Sequence, residues 1–266
     1  MKNYILKDIK VALFFLSLFT LVSCDYKELG AADYSEQKIY MPASTADVGE
    51  SGTYLVNSIA TPGQNFRYVA SREQNKLNIA LSVVRSGISP DGLVNVAIRT
   101  TTDTVTRLIN RGVLPGAEVL PADKFTIEPA VTIASGKDVA LFTLAVDLNF
   151  LLANTSKTYA IAVSVSSEDV ASFEKFSTTV VVISPAFLVP AAAFNTVINA
   201  KMASFNNLSA NSVSYTWNFG DGSPAVTTTS PSYTYAAAGT YTVTLTATGA
   251  LGDVNKSVKT ASIIIP

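Results

Sequence analysis

The sequence predicts an all-β protein built from tandem β-sandwiches. Many short runs alternate apolar and polar residues, as half-buried strands do, and turn residues separate them. The clearest runs are KLNIALSVV, GLVNVAIR, DVALFTLAV, TYAIAVSV and TYTVTLTAT. Beyond the N-terminal segment no long stretch has helical periodicity, which favours sandwiches over α/β layers. Two brief helical turns are predicted, in DTVTRLINRG and DLNFLLANT, each short enough to be a sandwich crossover.

The N-terminal segment has the layout of a secretory signal. Lys2, Lys7 and Lys10 form a basic region, and an apolar run follows at residues 11–22. That run is roughly 18 Å long as a helix, against a hydrocarbon core of roughly 30 Å, so it is too short to span a bilayer. The pattern predicts a signal peptide over residues 1–23.

The only cysteine follows this run directly. The sequence Leu21-Val22-Ser23-Cys24 resembles the lipobox of bacterial lipoproteins. The resemblance implies cleavage between Ser23 and Cys24, and attachment of diacylglycerol and palmitate-type acyl chains to Cys24. The membrane is then a partner through this anchor. The alternatives are an ordinary signal peptide with a chance cysteine, or a buried free thiol.

Breaks in the pattern divide the rest of the chain. Residues 24–37 are small, polar and acidic, and they are predicted to be a flexible tether. Regular strand pattern covers residues 38–185. Pro185 and Pro190 cannot continue a central strand, so a second strand-rich domain is predicted at residues 187–266.

The C-terminal domain resembles a PKD domain, an immunoglobulin-like β-sandwich. The resemblance rests on SYTWNFGDG, SPSYTY and AGTYTVTL, which occur in the family's order and spacing. The motif residues are Trp217, Phe219, Gly220, Asp221, Gly222, Gly239 and Tyr241. Alternation places the tryptophan and the phenylalanine in the core, and the glycines suit a tight turn. The resemblance implies structural roles for all seven, with a tyrosine corner at Tyr241.

The N-terminal domain resembles a domain of unknown function found in Bacteroidetes surface lipoproteins and ahead of some chitinase-like glycosidases. The segments that carry this resemblance are Tyr40-Met41-Pro42, VVRSG at 83–87, VLPADKFTI at 119–127, VTIASGKD at 131–138 and KTYAIAVSV at 157–165. It implies a second immunoglobulin-like sandwich with an accessory role.

Composition excludes several kinds of chemistry. The formal net charge is −1 and no basic cluster occurs, which argues against a nucleic-acid partner. The chain has no histidine, which removes Ser-His-Asp catalysis and His-ligated zinc. The carboxylates considered for glycoside hydrolysis are Glu118, Asp123, Glu128, Asp138 and Asp147. They lie beside turns or strand ends, so no enzyme activity and no cofactor are predicted.

Two loops could offer oxygen atoms to calcium, DGSPAVT and SGISPDG. Neither has the spaced acidic ladder of a calcium loop, so no metal site is predicted and both are expected to stabilise turns. Aromatic candidates for stacking a sugar are Tyr54, Tyr68 and Tyr233, with Phe66 and Arg67 near the second. Each is better explained as a packed strand residue, so the sequence reveals no binding site.

These observations leave two main functional hypotheses. The first is a non-catalytic surface lipoprotein that binds or presents polysaccharide. The alternative is a structural or adhesive surface protein whose sandwiches serve as spacers or as docking modules for a surface protein. An unrecognised hydrolase is a distant third. The predicted location is the outer membrane, facing the cell exterior, with its periplasmic face as the alternative.

Overall fold

The computed structural model describes residues 36–45, 52–59, 67–87 and 90–266. Within these ranges the chain forms β-strands, two α-helices and short 3₁₀ segments. The strands are β1 (Ile39–Tyr40), β2 (Thr53–Val56), β3 (Tyr68–Ser71), β4 (Lys76–Arg85), β5 (Val94–Thr101), β6 (Ala117–Val119), β7 (Phe125–Thr126), β8 (Ala130–Ile133), β9 (Val139–Asp147), β10 (Thr158–Ser166), β11 (Thr178–Ile183), β12 (Phe194–Asn199), β13 (Met202–Asn207), β14 (Ser214–Asn218), β15 (Ser232–Thr234), β16 (Gly239–Thr248) and β17 (Lys256–Ile265). The helices are α1 (Asp103–Asn110) and α2 (Leu148–Ala153). The all-β prediction is confirmed, and both predicted helical turns are present.

The first sandwich has two sheets. The first sheet has the order β1-β4-β9-β7, with β3 also paired to β4. The second sheet has the order β2-β11-β10-β5-β8, with β6 also paired to β10. Most pairs are antiparallel, whereas β2 with β11 and β6 with β10 are parallel. Helix α2 carries the chain from β9 in the first sheet to β10 in the second, as predicted for a crossover. Helix α1 does not cross over, because it joins β5 to β6 within the second sheet.

Alternation along the strands builds the core between these sheets. On β4, Leu77, Ile79, Leu81 and Val83 are buried, while the residues between them are not. Successive strand residues point to opposite faces, so one face of β4 is apolar and packs inward. Strand β9, which is paired with β4 in the same sheet, shows the same alternation of buried and less buried residues. Burial of these apolar side chains is the main force that holds the sheets together.

Strand β10 differs from its predicted half-buried state, because it is buried on both faces. Tyr159 and Ile161 face the core between the sheets, whereas Ala160 and Ala162 lie under helix α1. Val105 of that helix packs on them. The expectation that TYAIAVSV is half-buried was wrong. Its alternation of alanine with larger residues suggests one exposed face, but the alanine face is buried as well. Small side chains there allow the helix to approach the sheet.

The second sandwich packs two three-stranded sheets, β12-β13-β15 and β14-β16-β17. Its core is largely aromatic, with Trp217 in contact with Phe205 and Phe194 at ring-centroid distances of 5.4 and 5.1 Å. Phe219 stacks on Phe205 at 5.3 Å. These rings bury large apolar areas, which stabilise a domain of only six strands.

A short 3₁₀ segment, Pro185–Leu188, joins the sandwiches. Phe187 and Leu188 are buried in the core of the first sandwich. From the second sandwich, the Asn211 side-chain amide donates to the carbonyls of Ala186 and Val189, both at 3.0 Å. The Asn255 amide donates to the Leu188 carbonyl at 3.0 Å. The joint is therefore held by side chains from both sides rather than being a free linker.

Candidate functional site

The motif residues of the second sandwich occupy its interior and one of its turns. Trp217 is completely buried, and its indole Nε1 donates to the Thr228 carbonyl at 3.0 Å. Phe219 is buried two residues further along. A buried indole N–H needs a partner, and this bond supplies it without exposing the ring. Neither ring is available to stack on a ligand.

The turn after Phe219 is formed by Gly220, Asp221 and Gly222. The two glycines have φ of 81° and 85°, a region that disfavours side chains. A side chain at Gly220 would also collide with the backbone of Thr242. The Asp221 carboxylate accepts the backbone N–H of Ser223 at 3.0 Å, which holds the turn.

The same carboxylate also binds one of the tyrosines considered for sugar stacking. The Tyr233 hydroxyl donates to Asp221 at 2.6 Å. Hydrogen bonds from Ser223 and Tyr233 lower the pKa of the Asp221 carboxyl. The Tyr233 ring stacks on Phe219 with a centroid distance of 4.1 Å. The hydroxyl and the ring of Tyr233 therefore both make contacts within the domain.

Gly239 and Tyr241 lie at the start of β16. The Tyr241 hydroxyl donates to the Ala237 carbonyl at 2.9 Å, the kind of backbone bond a tyrosine corner makes. Its ring stacks on Tyr235 at 4.2 Å. Burial raises the pKa of Tyr235 to about 12, and its hydroxyl donates to the Phe219 carbonyl at 3.0 Å. These contacts stabilise the fold.

The other aromatic candidates do not form a platform either. Tyr68 is buried against Phe187 at 4.8 Å. Tyr54 is half-buried, with the Arg67 guanidinium 5.0 Å from its ring centroid. Burial raises the pKa of the Tyr54 hydroxyl. Phe66 lies outside the described residues.

The carboxylates considered for catalysis lie on separate elements with separate partners. Asp147 caps α2 by accepting the Phe150 N–H at 2.9 Å, and this bond lowers the pKa of its carboxyl. Glu118 pairs with Lys157 at 2.9 Å. The remaining three are Asp123, paired with Lys124 at 2.8 Å, Glu128, which accepts the Thr143 N–H at 3.2 Å, and Asp138, the residue before β9.

Arg85, the last residue of β4, contacts the described end of SGISPDG, one of the two loops considered for calcium. It is only 3% exposed, and its guanidinium donates to the carbonyls of Asp91 and Gly92 at 3.0 and 3.1 Å. It also donates to the carbonyl of Lys137 at 2.6 Å and to that of Pro90. The carbonyl oxygens that could have faced a metal ion face this internal cation instead. Among the described residues no group of three or more acidic or cysteine side chains could hold a metal.

This contact joins two of the segments on which the resemblance of the N-terminal domain rests. Arg85 belongs to VVRSG, and Lys137 belongs to VTIASGKD. The two segments lie far apart in the chain, and pairing of β4 with β9 brings their ends together. Their shared role is structural.

Two of the open depressions on the surface of the first sandwich are lined by described residues. One, of about 410 Å³, lies on the first sheet and is lined by Asn78, Thr143 and Glu128 among others. The other, of about 500 Å³, lies on the second sheet, where β5, β8 and β10 meet; it is lined by Asn95, Val96, Ala97, Arg99, Ala130, Ser166, Ser167, Glu168 and Asp169. Sequence reasoning missed both. The sequence carried only a weak signal for the second depression. Polar residues alternate along GLVNVAIR, but this alternation is found on any strand with one solvated face, so it does not indicate a binding site.

The predicted lipidation and cleavage residues, Ser23 and Cys24, lie outside the described residues, as does most of the predicted tether. In the part of the chain that the structure describes, no helix combines the length and apolar character needed to cross a membrane.

Comparisons with known proteins identify both domains. A family model described as an N-terminal domain matches residues 35–172, and the PKD domain model matches residues 184–262. No curated protein matches the chain.

Several solved structures are similar to parts of the chain. The first PKD domain of a Vibrio cholerae metalloprotease is 33% identical over 29% of this chain and 96% of its own, with a TM-score of 0.27. A candidate carbohydrate-binding protein from Bacteroides ovatus is 12% identical over 86% of this chain and 70% of its own, with a TM-score of 0.41. Carbohydrate-binding modules of the β-sandwich superfamily show 30% identity over 29% of this chain and 34% of theirs, with a TM-score of 0.27.

The N-terminal model covers more than half of the chain, and the PKD model accounts for most of the remainder. The chain belongs to the family defined by that N-terminal domain, and it carries a PKD domain at its C-terminal end.

Proposed function

We propose that this is a non-catalytic accessory protein that holds or presents polysaccharide at a bacterial cell surface. The observation that carries the proposal is the character of the two depressions on the first sandwich. Amides, hydroxyls and carboxylates line both, and these are the groups that hydrogen-bond sugar hydroxyls. Both are open and shallow, which suits a polymer lying across the surface better than an enclosed small molecule.

The non-catalytic part of the proposal rests on the state of the candidate acids. Glycoside hydrolysis by paired carboxylates needs two of them facing one bond, about 5–10 Å apart. Here Asp147 caps a helix, and Glu118 and Asp123 pair with neighbouring lysines. The sequence supplies no histidine as a general base.

The proposed location is the outer face of the outer membrane, with anchoring through lipid on Cys24. Support comes from the lipobox-like sequence, the acidic residues Asp25 and Glu28 after the cysteine, and a tether of more than ten residues. Proteinase K applied to intact cells tests the location. Digestion in intact cells is expected. Survival until lysis would place the protein on the periplasmic face.

Binding is tested by pull-down of the protein on insoluble polysaccharides such as cellulose, chitin and xylan. Retention on at least one of them, released by the matching soluble oligosaccharide, is expected. If the protein stayed in the supernatant with every insoluble polysaccharide, and no soluble polysaccharide retarded it in native gels, the proposed function would be wrong.

The alternative is a structural or adhesive protein that docks another protein. Val139 and Leu141 favour it, because they lie side by side on the outer face of the first sheet and are 49% and 75% exposed. Exposed apolar residues that share a face can mark a protein interface. Adjacent genes for pilus or adhesin subunits would favour this alternative, and adjacent glycosidase and transporter genes would favour glycan handling.

A further inference from the structure

The outer face of the second sheet changes character along β10. Ala160 and Ala162 on this face are buried under helix α1. Ser164 and Ser166 continue the same face, because alternate residues of a strand point the same way, and the helix does not bury them. The sheet is therefore apolar and covered at one end and polar and open at the other.

Small residues form the floor of a groove at the open end. Ala97 of β5 is paired with Ala130 of β8 on one side and with Ser166 of β10 on the other. These three side chains form one row across three strands. With neighbouring strands about 4.8 Å apart, the row spans roughly 10 Å.

Longer polar side chains form the two walls. Asn95 lies one row away on β5, and Asp169 reaches it from the loop after β10. The Asp169 carboxylate accepts the Asn95 backbone N–H at 2.7 Å and its side-chain amide at 3.3 Å. Thr132 donates its hydroxyl to the Asn95 Oδ1 at 3.2 Å, which fixes the orientation of the amide. On the other side of the floor, Arg99 is paired with Ser164.

Several hydrogen-bonding groups remain available in the groove. Within the described residues the Arg99 guanidinium makes no ion pair, and Asp169 uses only its Oδ2 atom in these contacts. The Asn95 amide keeps one N–H, and Ser166 and Glu168 are exposed. The groove therefore offers both donors and acceptors, and its Asn95–Asp169 wall is held in place before a ligand arrives, which lowers the entropic cost of binding.

We propose that this groove, floored by Ala97, Ala130 and Ser166, binds an uncharged stretch of a glycan chain. The proposal rests on the proposed function and assigns it to one place on the molecule. Neutral sugar is favoured over acidic sugar because Glu168 and Asp169 outnumber Arg99, so an anionic chain would meet net repulsion. Sugar is favoured over an apolar peptide because, among the described residues that line the groove, no large apolar side chain is exposed.

Binding at this site is expected to be weak for a single short sugar. Hydrogen bonds in an open groove replace bonds to water and add little each, and none of the described residues that line the groove is aromatic. A polysaccharide presents many equivalent stretches, so it is the better probe.

The test is native affinity electrophoresis of the full chain in mild detergent. The gels contain starch, xylan or galactomannan as neutral probes, or polygalacturonate as an acidic probe. At least one neutral polysaccharide is expected to retard the wild-type protein more than polygalacturonate does. Asn95→Ala and Arg99→Ala are each expected to reduce that retardation about fivefold or more. Ala130→Leu removes no polar group and is expected to reduce it by filling the floor.

Matched controls are Asn110→Ala, at the exposed end of α1, and Arg72→Ala, in the turn before β4. Both are expected to be retarded like the wild type, and all five variants should keep the wild-type melting temperature. If the groove variants ran like the wild type on a retarding gel, the groove would be the wrong site although the proposed function stood. Stronger retardation by polygalacturonate would overturn the neutral-sugar assignment. No retardation on any gel, with no retention on insoluble polysaccharide, would remove both.

Discussion

Arg85 shows how one buried charge can organise two loops. Its guanidinium gathers carbonyl oxygens from the loop after β4 and from the turn before β9. A buried cation is costly unless it is hydrogen-bonded, as both terminal nitrogens of Arg85 are, and buried carbonyls are costly if their donor is removed. The residue and its acceptors therefore stabilise each other, and neither is easily changed alone.

Replacing Arg85 with methionine is expected to destabilise the first sandwich by about 3–5 kcal/mol, because the carbonyls lose a charged donor at once. Chemical denaturation followed by far-ultraviolet circular dichroism measures the loss. Arg72→Met, at an exposed position in the turn before β4, is the control and should cost less than about 0.5 kcal/mol. Equal midpoints for the two variants would contradict a structural role for Arg85.

Asp221 gives the second sandwich a pH dependence. Ser223 and Tyr233 hold the pKa of its carboxyl below the usual range. A carboxyl with a lowered folded-state pKa stabilises the fold above its unfolded pKa, and this contribution is lost as pH falls through the folded pKa. The denaturation midpoint should therefore fall as pH drops below about 4, and Asp221→Asn should flatten this fall.

Fluorescence of Trp217 is the suitable readout, since it is the only tryptophan and lies in this core. Asp253→Asn is the control, because that carboxylate is 92% exposed in the turn before β17. Parallel pH profiles for wild type and Asp221→Asn would show that the turn contributes nothing to the acid response.

At the scale of elements, helix α1 determines which part of the second sheet is open. Its buried residues, Val105 and Leu108, pack on alanine side chains of β10 and valine side chains of β11. The polar groove lies on the part of this sheet that the helix does not cover. A single amphipathic helix thus separates a structural half of the face from an exposed half.

Shortening Leu108 to alanine is expected to cost about 2–5 kcal/mol, because it leaves a cavity between helix and sheet. Thermal unfolding measures this cost, and hydrogen exchange in α1 should rise at the same time. Arg107→Ala, one residue away on the exposed side, should leave both nearly unchanged. A Leu108→Ala protein with the wild-type melting temperature would show that the helix does not depend on this packing.

At the scale of the whole molecule, the joint couples the two sandwiches. Three hydrogen bonds from Asn211 and Asn255 hold the carbonyls of the connecting segment. Asn211 has φ of 55°, which asparagine tolerates better than most residues. The boundary between residues 185 and 187 stays a prediction, although Phe187 and Leu188 pack with the first core.

Changing Asn211 and Asn255 together to aspartate replaces three donors with acceptors that repel the same carbonyls. Amide hydrogen exchange in residues 185–191 is expected to speed up at least tenfold, while both cores keep their protection. Asn206→Asp, exposed on β13, controls for the added charge. Unchanged exchange in the connecting segment would mean that these amides do not hold the joint.

Membrane attachment is predicted to depend on Cys24 alone. Acyl chains contribute about 0.8 kcal/mol per buried CH₂, so two or more chains suffice for stable anchoring. Cys24→Ala is expected to abolish acyl labelling and to leave the signal peptide uncut. Ser58→Ala, at an exposed position in the first sandwich, should change neither. Normal labelling of the Cys24→Ala protein would rule out this anchor.

The sequence alone determined the fold class and much of the second core. Strand alternation repeats every two residues, so Trp217 and Phe219 could be assigned to one face without a structure. Glycines in a short polar segment likewise indicate a tight turn from the local sequence, as at Gly220 and Gly222. These features depend on neighbours within a few residues, which a sequence displays directly.

Only the tertiary structure decided which distant residues meet. Asn95 and Asp169 are 74 residues apart, and Arg85 meets a carbonyl 52 residues away. Such contacts are set by strand pairing and register, and a shift of one residue would turn every side chain to the opposite face. The buried cation, the covered face of β10 and the polar groove all arise from that long-range register, which no local pattern records.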